Sequence, residues 1–94
     1  MTNAKVKGKA LREVKRTKIA KWVKFSYVCY FIDGSNKLIT DTIAQLEGHT
    51  NFDTVEYLMK DFKDGIKRGE FKKVKLLAVD GEKLGSNGMG IVVL

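Results

Sequence analysis

The chain contains no proline, one cysteine and one histidine in 94 residues. Without proline there is no proline-rich linker, and with no internal repeat the length fits one domain. Cys29 alone cannot close an internal disulfide, which makes a reducing compartment, the cytoplasm by default, the expected location. No apolar run reaches the roughly 18 residues of a transmembrane helix, so no membrane partner is expected. No apolar segment follows the first lysines, so no secretory signal is expected.

Catalytic equipment is equally thin. His49 has no Ser or Cys nucleophile to serve, Cys29 falls inside a strand, and no ligand set gathers at metal-binding spacing. Asp61 and Asp64 stand one helical turn apart among Lys60, Lys63, Lys67 and Arg68, the pattern of a solvated face rather than an acid pair. Residues 80–90 hold four glycines but neither GxGxxG nor GK[ST], and they precede a strand where phosphate loops precede a helix. They read as a flexible hairpin loop. The expectation is a protein that is not an enzyme and takes no cofactor and no metal.

What the chain does have is charge in one place. Its formal net charge is +7. Residues 1–24 carry Lys5, Lys7, Lys9, Arg12, Lys15, Arg16, Lys18, Lys21 and Lys24 against Glu13 alone, a local charge of +8. The remaining residues hold nine basic and ten acidic groups. Such asymmetry points to an acidic partner. Residues 1–18 read as a basic N-terminal arm. Within it, residues 9–18 fit a short basic helix and an extended segment equally well.

Residues 19–94 read as one α+β domain. Phe52 to Arg68 place Phe52, Val55, Leu58, Met59, Phe62 and Ile66 on one helical arc of about 120°. Thr50 and Asn51 supply N-caps, Asp53 completes a capping box with Thr50, and Gly69 marks the C-terminus. Gly65 counts as a mild defect, about 1 kcal/mol against Ala. Residues 19–32 alternate in period 2, with Val23, Phe25, Tyr27, Cys29 and Phe31 on the core side. Asp33 to Asn36 form a turn and the chain returns from Lys37 to about Glu47. Phe71 to Val79 do not alternate cleanly, which predicts an interior strand covered on both faces. Ile91 to Leu94 form a last short strand. The result is β-hairpin–helix–β-hairpin: a four-stranded antiparallel or mixed sheet with one amphipathic helix on one face.

Register depends on the length of the first turn. A loop of two or four residues puts Leu38, Thr40, Thr42, Ala44 and Leu46 on the face of Phe25 and Tyr27; a loop of three reverses that parity. The even loop gives the better core set and is the expectation. The outer face then collects Val28, Tyr30, Ile32, Ile39 and Ile43, with Trp22 and Lys24 near one end. A patch of a few hundred Å² marks an interaction site.

Two functions follow. The first is a small basic non-enzymatic module binding nucleic acid or a nucleoprotein, with the cations of residues 5–24 on phosphates and Trp22 beside them. The alternative is a protein-binding inhibitor or adaptor of the phage or mobile-element accessory type. It would meet an acidic host target through Tyr30, Ile32, Ile39 and Ile43, a face that a homodimer, or the segment Ala10–Val14 folding back as a helix, would also cover. The chain carries no RNP, KH, zinc-finger or helix-turn-helix signature.

Overall fold

A computed structural model of the chain describes residues 18–94. The expectations for Lys5, Lys7, Lys9, Arg12, Lys15 and Arg16, and for a helix within residues 9–18, therefore lie outside the described residues. Two long strands, β1 (Ile19–Tyr30) and β2 (Asn36–Leu46), lead into one helix, α1 (Asn51–Lys67). Three strands follow: β3 (Lys73–Val79), β4 (Glu82–Lys83) and β5 (Ile91–Val93), with a 3₁₀ turn at Ser86–Gly88 before the last. The sheet runs β2-β1-β3, and β4 and β5 share the far edge of β3. Every pairing is antiparallel. The α+β class is as expected. The sheet has five strands rather than four, because β4 lies within the stretch read from sequence as loop.

The helix is built as its sequence dictates. The Thr50 side chain accepts from the Asp53 amide, and the Asp53 carboxylate accepts from the Thr50 amide at 2.8 Å, which closes the capping box. At the other end the Gly69 amide donates to Ile66 O and the Glu70 amide to Gly65 O, the paired bonds of a Schellman motif. Val55, Leu58 and Phe62 are buried, and Phe62 meets Tyr27 with ring centroids 4.8 Å apart. Phe52, placed on the buried arc from sequence, is instead 69% exposed. The inward position of the first turn belongs to Thr54, buried and accepting from Gln45 Nε2 at 2.9 Å. Gly65 is no defect. It is buried, and a β-carbon there would collide with the ring of Phe71.

The first hairpin corrects the expected register. Phe31 N donates to Ser35 O, so Ile32, Asp33 and Gly34 form a loop of three. Gly34 N donates back to Phe31 O and Gly34 adopts φ +91°, the type I turn with a left-handed third residue that such loops use. The Asp33 carboxylate accepts from both the amide and the hydroxyl of Ser35 and locks the turn. Parity reverses accordingly: Tyr27 pairs with Ile39 and Val23 with Ile43, all toward the helix. Ile39 and Ile43 thus belong to the core side, and the outer patch shared by Val28, Tyr30, Ile32, Ile39 and Ile43 does not form. With Lys37 and Asp41, this register also turns the polar Gln45 toward the helix side. It is 5% exposed, and it donates to both Asn51 Oδ1 and Thr54 Oγ1 at 2.9 Å. A buried amide so paired loses little by leaving water.

The third strand departs from the expectation of cover on both faces. The pairing with β1 shifts between Ser26–Ala78 and Tyr27–Leu76, so Leu77 is an extra residue, a β-bulge. The bulge lets Leu76 and Val79, three apart, both point into the core at 0% exposure. The broken alternation records that bulge, and no described element covers the second face. Asp80 and Gly81, with φ +54° and +81°, then make a two-residue hairpin turn to β4. The Asp80 amide donates to Lys24 O, which ties this turn back to β1.

Candidate nucleic-acid interface

Strand parity sorts the side chains of the sheet into two populations. The face toward α1 carries the core: Val23, Phe25, Cys29, Val74, Leu76, Val79 and Val93. The opposite face carries Trp22, Lys24, Ser26, Val28 and Tyr30 from β1, and Leu38, Thr40, Thr42 and Ala44 from β2. Lys73 and Lys75 of β3 pair with Tyr30 and Val28, and Lys83 of β4 pairs with Ala78 behind Ser26. Val92 of β5 completes the face beside Lys75. Among the described residues, four lysines therefore stand on this face and no acidic side chain does. The ten acidic residues after Lys24 fall on the turns, the helix, the connectors and the helix side of the strands. The body is near neutral in sum but its charge is segregated by face.

The aromatic residues sit at opposite ends of this surface. Trp22 is 65% exposed. Its cross-strand neighbour is Ala44, and β3 stops pairing with β1 at Phe25, so no large residue is paired directly opposite the indole on either strand. At the far end the Lys73 ammonium lies 4.7 Å from the centroid of the Tyr30 ring, within cation–π range. Along β1 the two aromatics are eight residues apart, about 26 Å at ~3.3 Å per residue. Ser26 Oγ and Thr40 Oγ1, 3.2 Å apart, add hydroxyls between them.

Of the expected binding residues, Trp22 and Lys24 are brought together here. Lys18 is exposed at the start of β1, where its carbonyl accepts from the Glu47 amide. Lys21 is different: its ammonium donates to Asp80 Oδ2 at 2.7 Å, a contact that holds the Asp80 carboxyl below the usual carboxylate range. Lys21 thus stands on the helix side of β1, paired with Gln45, and not on this face. Of the expected protein-interface residues, Tyr30 stays on the outer face and Ile32 is 71% exposed in the turn, while Ile39 and Ile43 face the helix layer. Lys73, Lys75 and Lys83 were missed. Lys73 and Lys75 alternate with Val74 and Leu76, a period-2 signal readable in the sequence but hidden by the apolar run that follows.

Cys29 is 3% exposed, and burial pushes its thiol pKa up, away from the thiolate a nucleophile needs. Two open grooves flank α1. One of about 320 Å³ lies between the end of β2 and the first turns of α1, lined by Ile43, Leu46, His49 and Tyr57 among others. The other, about 430 Å³, lies toward β4 and β5. In the first, Thr54 is engaged by Gln45 and Asp53 by the Thr50 amide. Among the described residues no three His, Cys, Asp or Glu gather around a metal-sized space. No described helix is long and apolar enough to cross a membrane. The glycine loop uses its own amides: Gly88, Met89 and Gly90 donate to Gly85, Ser86 and Leu84 carbonyls, which leaves no cradle of these amides for a phosphate.

No protein-family model, no curated protein and no solved structure matches this chain.

Proposed function

We propose that this chain is a small basic module that binds nucleic acid, or a nucleoprotein, with the cations of residues 1–24 on phosphates and the open sheet face laid against the same ligand. One observation carries the reading: positive charge is concentrated at the N-terminus, and the sheet face that no described element covers, which begins at Trp22 and Lys24, bears lysines and no acidic side chain among the described residues. A surface of one sign raises local polyanion concentration and steers its approach. The rival reading, an apolar protein-docking or dimerising face, loses support because Ile39 and Ile43 turn toward the helix.

The test is a titration of labelled oligonucleotide against the full chain at increasing salt. Log affinity should fall linearly with log salt, by about 0.9 per phosphate contacted on duplex and about 0.7 on single strands. Replacing Lys15 and Arg16 with Gln should flatten that slope by one to two contacts. Affinity that ignores both salt and these substitutions removes the proposal.

A further inference from the structure

Resting on the nucleic-acid reading above, we infer that the open sheet face is a platform for single-stranded nucleic acid, with an unpaired base stacked on Trp22 and the backbone running along Lys24, Lys75 and Lys73. A duplex offers no base face to a side chain, because its bases are already stacked on one another. A single strand offers both base faces and a flexible line of phosphates, and proteins that take it combine a cationic track with exposed aromatics.

The face has both parts in the required arrangement. The indole of Trp22 is 65% exposed among the described residues, with Ala44 opposite it and no β3 residue paired beside it, which leaves room for a partner of its own size. Lys24 is the next outward residue of the same strand. Lys75 and Lys73 follow along β3, opposite Val28 and Tyr30, so the cations form one line beside β1. On the other side of that line lie the uncharged Leu38, Thr40 and Thr42, which repel no phosphate. The one described helix is a poor reader of a duplex groove: its exposed surface sets Glu56 and Asp61 among Lys60 and Lys63.

Trp22 is the only tryptophan in the chain, so emission excited at the red edge, where the three tyrosines do not absorb, reports on this site alone. The full chain is titrated with a short oligothymidylate, with a duplex of equal length, and with inorganic polyphosphate as a polyanion without bases. The single strand should quench the emission and bind more tightly than the duplex, and polyphosphate should bind without quenching. Trp22→Ala should weaken single-strand binding about five- to 150-fold, the range for loss of one stacked base, and Trp22→Phe should restore most of it. The double substitution Lys73→Gln with Lys75→Gln should keep the quenching and flatten the salt slope by about 1.4. An unchanged single-strand affinity in Trp22→Ala, or tighter duplex binding with no quenching, overturns the platform while leaving nucleic-acid binding intact. Failure to bind any of the three at low salt overturns both. Sedimentation as a dimer, with emission that shifts on dilution and is indifferent to oligothymidylate, assigns the face to a second copy of the chain and also overturns the inference.

Discussion

Leu38 and Ile39 are neighbours on β2, and the three-residue turn decides which of them matters. Ile39 stands opposite Tyr27 on the helix side and is partly buried against the core; Leu38 is 64% exposed on the outer face. Fully burying a side chain of this size stabilises a protein by about 1.5–3 kcal/mol, and Ile39 is only part-buried. Truncation also leaves its space beside Tyr27 unfilled, which adds to the loss. Ile39→Ala should therefore cost about 1–2 kcal/mol, and Leu38→Ala should stay within about 0.5 kcal/mol, as exposed positions do. Urea titrations followed by far-ultraviolet circular dichroism measure both, with an unchanged slope certifying that only stability moved. The comparison is sharp because an even-numbered loop exchanges the two roles: Leu38 would then be the costly site. A larger loss for Leu38→Ala than for Ile39→Ala would refute the register, and with it the set of side chains assigned to the open face.

Gly65→Ala should destabilise the fold by about 1 kcal/mol despite the gain of about 1 kcal/mol in helix propensity, because overpacking against Phe71 costs about 1–3 kcal/mol. The loss should shrink in a Phe71→Leu background, and a stabilised Gly65→Ala in thermal melts would contradict the contact. Acid should weaken the protein. Hydrogen bonds depress the carboxyls of Asp33, Asp53, Glu70 and Asp80, from Ser35, Thr50, Arg68 and Lys21 respectively. With folded values below unfolded ones, the native state binds fewer protons. Their stabilisation is thus complete above the ordinary carboxylate range near pH 4 and is lost as pH falls through the depressed values. Urea midpoints from pH 7 to about pH 3 should fall below about pH 4, and less so in Asp80→Asn; midpoints that rise toward acid would reverse the sign.

The helix was legible because its signals were redundant. Thr50 with Asp53, the stripe from Val55 to Ile66, and Gly69 each named the same element, and all three survive in the structure apart from Phe52 at the edge of the stripe. The register was not legible from hydrophobic pattern, because Gln45 is a polar residue made acceptable only by Asn51 and Thr54, two partners supplied by tertiary structure. Asp33-Gly34 held the answer in its turn chemistry, since a left-handed glycine in third place is the mark of the odd loop. Asp80-Gly81 marks the second hairpin by another rule, a two-residue turn with both residues at positive φ, and it was masked by the glycines that follow. The bulge at Leu77 has no sequence signature of its own, so the lysines preceding it were assigned to a strand with no free face. Trp22 and Lys24 could be placed by alternation alone, whereas their grouping with Lys73 and Lys75 needed the pairing of β1 with β3.

The strand that displays Trp22, Lys24 and Tyr30 outward holds Cys29 inward, pinned between Lys37 of β2 and Val74 of β3. A sulfur at 3% exposure on the face toward α1 meets a reagent in solution only when the core opens, by the helix layer lifting or by the strands parting. Only the second kind of opening pulls β3, and its lysines, away from the line they form with Lys24. A ligand held across β1 and β3 therefore slows labelling of that thiol only by the share of openings that part the strands, so the thiol on one side of β1 reads how the other side is held together.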